Sequence, residues 1–209
     1  MINAVIFDMD GVLVDAKVWH YDALNMALRD FGYHISEEEH KLEYDGLPTS
    51  VKLTKLSMEK GLSEALHGQI NALKQLYTIE IFKERVVPQA HIIEALSALK
   101  NDGYKLGIAS NSIRDTVLTF LDYSSYRSYF SVILSNTDVS APKPDPEIYQ
   151  AACRLLNEER TACLVVEDNH NGILAATRAG THVMQVSSSA DIIYRKIKDT
   201  INRIDHGNL

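Results

Sequence analysis

Short apolar runs alternate along this chain with longer segments in which apolar residues recur every three or four positions. Ala4-Val5-Ile6-Phe7, Leu106-Gly107-Ile108-Ala109, Val132-Ile133-Leu134, Leu164-Val165-Val166 and Val183 to Val186 read as short buried strands. Between them, Ile92, Ile93, Ala95, Leu96 and Leu99 form one helical stripe, closed by Asn101-Asp102-Gly103. Val117, Leu118, Phe120 and Leu121 form another. Pro146 suits the first turn of a helix carrying Ile148, Ala151, Ala152, Leu155 and Leu156, and Ile173, Ala175, Ala176 and Ala179 mark a short helix ended by Gly180. Strand–helix alternation of this kind predicts an α/β fold, a Rossmann-like doubly wound parallel sheet.

Residues 15–85 break the alternation. They contain no strand-like run and predict helices over Val18–Phe31, Ser36–Glu43, Ser50–Lys60 and Ser63 to about Lys83. Gly32, the Asp45-Gly46-Leu47-Pro48 stretch and Gly61-Leu62 separate them. The expected organisation is a core of residues 1–14 and 86–209 with a helical domain, 15–85, inserted after the first strand. The crossings, near Asp15 and near Val86-Val87-Pro88, would serve as hinges.

Composition narrows the function classes. The chain has 209 residues, 45% hydrophobic and 23% charged, which is ordinary for a soluble globular protein. A net charge of −7 argues against nucleic acid, which calls for a basic face. No apolar run reaches membrane-spanning length, no leader is visible ahead of the first strand, and no obligate protein partner is evident. Cys153 and Cys163 read as buried thiols, with a single disulfide left open as an alternative. The expected location is cytoplasmic.

The chemistry gathers where the strand-like runs end. Asp8 and Asp10 follow the first run, two residues apart on extended backbone and so facing the same way, and Gly11 lets the chain turn at once. Such a pair is costly unless a cation or a shared proton relieves it. One carboxylate could attack phosphorus while the other moves a proton. Ser110-Asn111 follows the second run, Lys143 lies in Pro142-Lys143-Pro144-Asp145-Pro146, and Glu167-Asp168 follows Leu164-Val165-Val166. In a parallel sheet these positions converge on one edge. Each also has a plain structural reading. Ser110-Asn111-Ser112 would cap a helix, Lys143 would be a solvated loop lysine, and Glu167-Asp168 would cap the helix after Asn169.

The set, in this order, resembles the haloacid dehalogenase superfamily of aspartate-nucleophile phosphohydrolases. The resemblance spans nearly the whole chain and includes the flanks Lys143-Pro144-Asp145-Pro146-Glu147-Ile148-Tyr149 and Glu167-Asp168-Asn169-His170-Asn171-Gly172-Ile173. It implies that the helical insert is a cap, in a subfamily that resembles β-phosphoglucomutase and sugar-phosphate phosphatases. It implies Asp8 as nucleophile, Asp10 as general acid–base, Ser110 as a phosphoryl contact and Lys143 as the cation that pairs with Asp8 and the phosphoryl group. Mg²⁺ would be held by Asp8, the carbonyl of Asp10, and Asp168, with Glu167 bound directly or through water. Asn111 would join the phosphate site. His20, and a lysine matched by Lys74, would reach from the cap toward substrate. Trp19 and Tyr44 fit cap core better than a cavity lining. The expected activity is Mg²⁺-dependent hydrolysis of a small phosphorylated metabolite, a sugar or polyol phosphate, through an aspartyl-phosphate. A phosphomutase is the alternative, weakened because residues 45–50 lack the arginine that would grip a second phosphate. A non-catalytic binding module on the same fold is a further alternative.

Overall fold

The computed structural model describes residues 1–44 and 47–207. Asp45 and Gly46, part of the expected helix break and of the arginine-free stretch, lie outside the described residues. The chain divides into two compact units, Met1–Ala16 with Val86–Leu209, and Lys17–Arg85.

The larger unit is built on a parallel sheet of β1 (Ala4–Phe7), β2 (Lys105–Ala109), β3 (Val132–Leu134), β4 (Cys163–Glu167) and β5 (His182–Gln185), in the order β3-β2-β1-β4-β5. Its helices are α5 (Ala90–Asn101), α6 (Arg114–Tyr123), α7 (Glu147–Leu156), α8 (His170–Ala179) and α9 (Tyr194–Asp205). β1 and the middle of β4 are apolar because both faces are covered, whereas the edge strand β5 begins at His182 and ends at Gln185. Ala4, Ile6, Cys163 and Val165 pack with Ile148, Tyr149, Ala152, Ala175 and Ala176 of α7 and α8. On the other face α5 and α9 pack together and reach β2 and β5 respectively. Strand order reverses beside β1, whose neighbours are β2 and β4. That switch point opens a crevice at the carboxyl ends of the strands.

Two boundaries moved for a visible reason. Glu167, expected just beyond its strand, is the last residue of β4, because β5 pairs with it through Gln185 and Val186 N–H donates to its carbonyl. Asp15 and Ala16, expected in the insert, stay with the larger unit. Ala16 is buried, and the Asp15 carboxylate accepts from the amide and the hydroxyl of Ser189 at 3.1 and 2.8 Å.

The smaller unit contains α1 (Lys17–Arg29), α2 (Glu37–Glu39), α3 (Thr49–Lys60) and α4 (His67–Arg85). A single helix over Ser36–Glu43 is not what forms. Ser36 and Glu39 make a reciprocal cap on α2, which widens into a π-helical turn, His40–Tyr44, that ends on a buried tyrosine. The helix expected from Ser63 begins as a 3₁₀ turn, Glu64–Leu66, before α4. The unit's core is Leu24, Ala27, Leu28, Ile35, Tyr44, Leu53, Leu56, Leu62 and Ile70. One buried polar group organises it. Asn25 on α1 donates from Nδ2 to the Ile35 carbonyl at 3.0 Å, and its Oδ1 accepts from the Ile35 amide at 2.9 Å.

Removing that side chain leaves the Ile35 amide without its acceptor in a dry core, while the carbonyl keeps the Tyr21 hydroxyl at 3.0 Å. Asn25→Ala is expected to destabilise the smaller unit by about 1–3 kcal/mol, measured by thermal unfolding and by faster hydrogen exchange at the Ile35 amide. Unchanged protection there would show that the hook is dispensable.

Candidate active site

Asp8 is the first residue beyond β1, Ser110 the first beyond β2, and Asp168 the first beyond β4, whose final residue is Glu167. Backbone pairing continues into the site: the Asp8 amide donates to Val166 O at 3.0 Å and the Ser110 amide to Leu134 O at 3.1 Å. The ends of three adjacent parallel strands therefore meet at the switch point. Carboxylate oxygens of Asp8, Glu167 and Asp168 lie within 4.8 Å of one another.

Lys143 enters this cluster from the loop before α7. It is buried, not solvated. Its ammonium donates to Asp8 Oδ1 at 2.6 Å, Glu167 Oε1 at 2.7 Å and the Ala109 carbonyl at 2.9 Å, so each of its hydrogens has an acceptor. The loop is held by Asn111, whose Oδ1 accepts from the Lys143 amide at 3.0 Å and whose Nδ2 donates to the Lys143 carbonyl at 3.3 Å. The Asn111 side chain is turned onto the main chain of Lys143.

Glu167 also differs from expectation. Its Oε1 accepts from Lys143 and from the Tyr149 hydroxyl at 2.8 Å, and its Oε2 accepts from the amides of Asp168 and Asn169 at 3.0 and 3.1 Å. A carboxylate has about four acceptor positions, and these four donors fill them. Glu167 is thus a buried partner of Lys143 and not a solvated side chain. Nor does Glu167-Asp168 cap α8, a role taken by Asn169.

Asp10 receives a 2.9 Å hydrogen bond from the Ser112 hydroxyl, and the Ser112 amide donates to Ser110 Oγ at 3.0 Å. Ser110-Asn111-Ser112 is therefore not a helix cap; Ile113 occupies that position before α6. Ser112 and Tyr149 are site residues that their sequence positions mark only as motif flanks.

Surplus negative charge governs the electrostatics. Burial pushes the Asp8 carboxyl well above its usual range; Lys143 pulls it down, while Glu167 and Asp10 push it further up. Burial would lower Lys143, but Asp8 and Glu167 together hold it above its usual value. Both directions favour retained protons, as an excess of carboxylates over cations requires. A hard divalent cation answers the same imbalance, and an all-oxygen donor set suits one. Room is reserved for these carboxylates. A Cβ at Gly11, where φ is +90°, would overlap Asp168 Oδ2, and one at Gly172 would overlap Glu167 Oε1. Asp8, Glu167 and Asp168 each have a carboxylate oxygen that such a cation could take.

His20 and Lys74 lie in the smaller unit, where His20 Nδ1 is 3.4 Å from Lys74 Nζ and the His20 ring packs on Phe82. Lys74 is buried, not on a solvated face. Trp19 packs edge-on to Phe82, and Tyr44 is core, its hydroxyl donating to Glu59 Oε2 at 2.7 Å. Cys153 and Cys163 are buried free thiols. No helix among the described residues is long and apolar enough to cross a membrane.

An aspartate held by a buried lysine thus stands at the carboxyl edge of a doubly wound sheet. The chain belongs to the haloacid dehalogenase-like hydrolase family, whose model matches residues 5–186. It is 30% identical to the pyrophosphatase PpaX of Bacillus mycoides over 89% of this chain and 84% of that one. It is also 30% identical to a phosphorylated carbohydrates phosphatase of Thermotoga maritima over 86% and 82%. Its fold matches the crystal structure of β-phosphoglucomutase from Clostridium difficile with a TM-score of 0.76 and 22% identity, over 97% of this chain and 98% of that one.

Gly172→Ala tests the close packing behind Glu167. The added methyl must displace the Glu167 carboxylate and, with it, Lys143. Hydrolase turnover is expected to fall at least ~10-fold, with little change in the thermal midpoint of the smaller unit. Wild-type turnover would show that Glu167 need not sit where it does.

Proposed function

We propose that this hydrolase is a Mg²⁺-dependent phosphatase acting on a small organic phosphate monoester, a sugar or polyol phosphate, through an aspartyl-phosphate on Asp8. The observation that carries the reading is the buried Asp8 carboxylate fixed at 2.6 Å by Lys143 at the switch point of the sheet. A carboxylate that is gripped, buried and surrounded by other acids is oriented for attack and difficult to explain as a structural salt bridge alone.

In the proposed reaction an Asp8 oxygen attacks phosphorus and the bond to the leaving oxygen breaks as Asp10 delivers a proton to it. Asp10 then takes a proton from the water that attacks the acyl-phosphate, releasing inorganic phosphate and restoring Asp8. The Ser112 hydrogen bond holds the Asp10 carboxylate during the exchange, and Ser110 contacts a phosphoryl oxygen. Lys143 keeps Asp8 in line and offsets charge on the transferring group. Asp8 and Asp168, with the Asp10 carbonyl, would hold Mg²⁺, which supplies the charge neutralisation a phosphate dianion needs beside so many acids. The smaller unit would act as the cap, presenting His20 and Lys74 to the organic part of the substrate.

The name of the Thermotoga maritima relative supports a phosphorylated carbohydrate as substrate. That of the Bacillus mycoides relative supports a second reading, with pyrophosphate as substrate. The leaving group distinguishes them, because an alkoxide needs an acid far more than a phosphate does. A binding module without chemistry would have lost one of Asp8, Asp10, Lys143 or Asp168, and all are present. The free thiols support a reducing, cytoplasmic setting.

Asp8→Asn is expected to abolish phosphate release while leaving the fold intact, since the amide is nearly isosteric and a very poor nucleophile. Retained turnover near wild type would sink the covalent route. Assays on a panel of sugar and polyol phosphates and on pyrophosphate should show release of free phosphate, not isomerised sugar phosphate, with the best rate on a sugar or polyol phosphate. Asp10→Asn should cost alkyl phosphates more than pyrophosphate. Chelation should remove activity and Mg²⁺ restore it; full turnover in chelator would overturn the metal assignment.

A further inference from the structure

We propose that Tyr149 is a positioning residue for the reaction: its hydroxyl and its ring together fix how Lys143 is shared between Asp8 and Glu167. The inference rests on the reading of Asp8 as the reacting carboxylate and extends it to a residue on α7.

Tyr149 is fully buried and touches the array twice. Its hydroxyl donates to Glu167 Oε1 at 2.8 Å, the same oxygen that accepts from Lys143 at 2.7 Å. Its ring centroid lies 4.7 Å from Lys143 Nζ, within range of a cation–π contact. Lys143 thus stands between two carboxylates that compete for it, Asp8 at 2.6 Å and Glu167 at 2.7 Å.

Hydrogen bonds into Glu167 bias that competition. Each donor it receives draws charge from its carboxylate and weakens its hold on the ammonium. The Asp168 and Asn169 amides act on Oε2, and the Tyr149 hydroxyl acts with Lys143 on Oε1. Without the hydroxyl, Oε1 is more basic and one of its acceptor positions is vacant in a dry site. Lys143 then moves toward Glu167 and loosens on Asp8. The ring is a separate support, its centroid 4.7 Å from the ammonium.

Tyr149→Phe separates the two supports, because it removes the hydroxyl and keeps the ring. With 4-nitrophenyl phosphate and saturating Mg²⁺, kcat is expected to fall about tenfold, the size of one charged hydrogen bond, with KM within twofold of wild type. Tyr149→Leu, which removes both, should fall further. Because the hydroxyl acts through Glu167, Tyr149→Phe should cost much less in a Glu167→Gln background than in the wild type. Assays at 10 °C as well as 25 °C, with thermal midpoints measured for every variant, keep a destabilised protein in its folded state. A kcat for Tyr149→Phe within threefold of wild type overturns the proposal. So does a loss carried by KM, or an undiminished loss in the Glu167→Gln background. Asp8→Asn tests the underlying reading separately. If it retains activity, that reading fails; if it is inactive while Tyr149→Phe matches wild type, only the role of Tyr149 is lost.

Discussion

One buried ammonium holds the site together. Lys143 Nζ is shared by Asp8, Glu167 and the Ala109 carbonyl, which come from the ends of β1, β4 and β2. A buried charge is tolerated only when paired and fully hydrogen-bonded, and removing one partner strands the others. The three strand ends are consequently tied through a side chain as well as through their ladders. The register that sets Phe7 beside Val166 carries Asp8 to the end of the strand where Glu167 follows.

The array nevertheless leaves charge unbalanced. Lys143 is one cation among Asp8, Glu167, Asp168 and the nearby Asp10, and the raised Asp8 carboxyl is the consequence. Natural selection of a buried acidic cluster for stability alone is a poor bargain, since desolvation opposes every member. Gly11 and Gly172 keep the space in which Asp168 and Glu167 sit, so even small residues near the site are dictated by the carboxylates.

The smaller unit follows a different logic. Its helices close over one apolar core, with Asn25 satisfying both backbone groups of Ile35 where the chain turns. Lys74 on α4 meets His20 on α1, so the two helices that pack most extensively also carry the paired polar groups. That pair belongs to the smaller unit, and the ion array to the larger.

Pattern along the chain determined the strands and the parallel sheet. Ala4–Phe7 and Val132–Leu134 are strands over the expected residues, because an unbroken apolar run can be satisfied only where both faces are covered. The order of Asp8, Ser110, Lys143 and Glu167-Asp168 after such runs likewise pointed to one edge of one sheet. Tertiary structure decided what each group is bonded to. Asn111 is engaged by the Lys143 main chain, Glu167 is filled by four donors, Ser112 holds Asp10, and Tyr149 joins the array from α7. Periodicity reports which face a residue occupies, but lone pairs and donors are matched between residues far apart in sequence. Glu167 and Lys143 are 24 residues apart and Asp8 and Lys143 are 135 apart. Only the folded chain brings them within hydrogen-bond distance, and there each polar group must take the partner that burial makes obligatory.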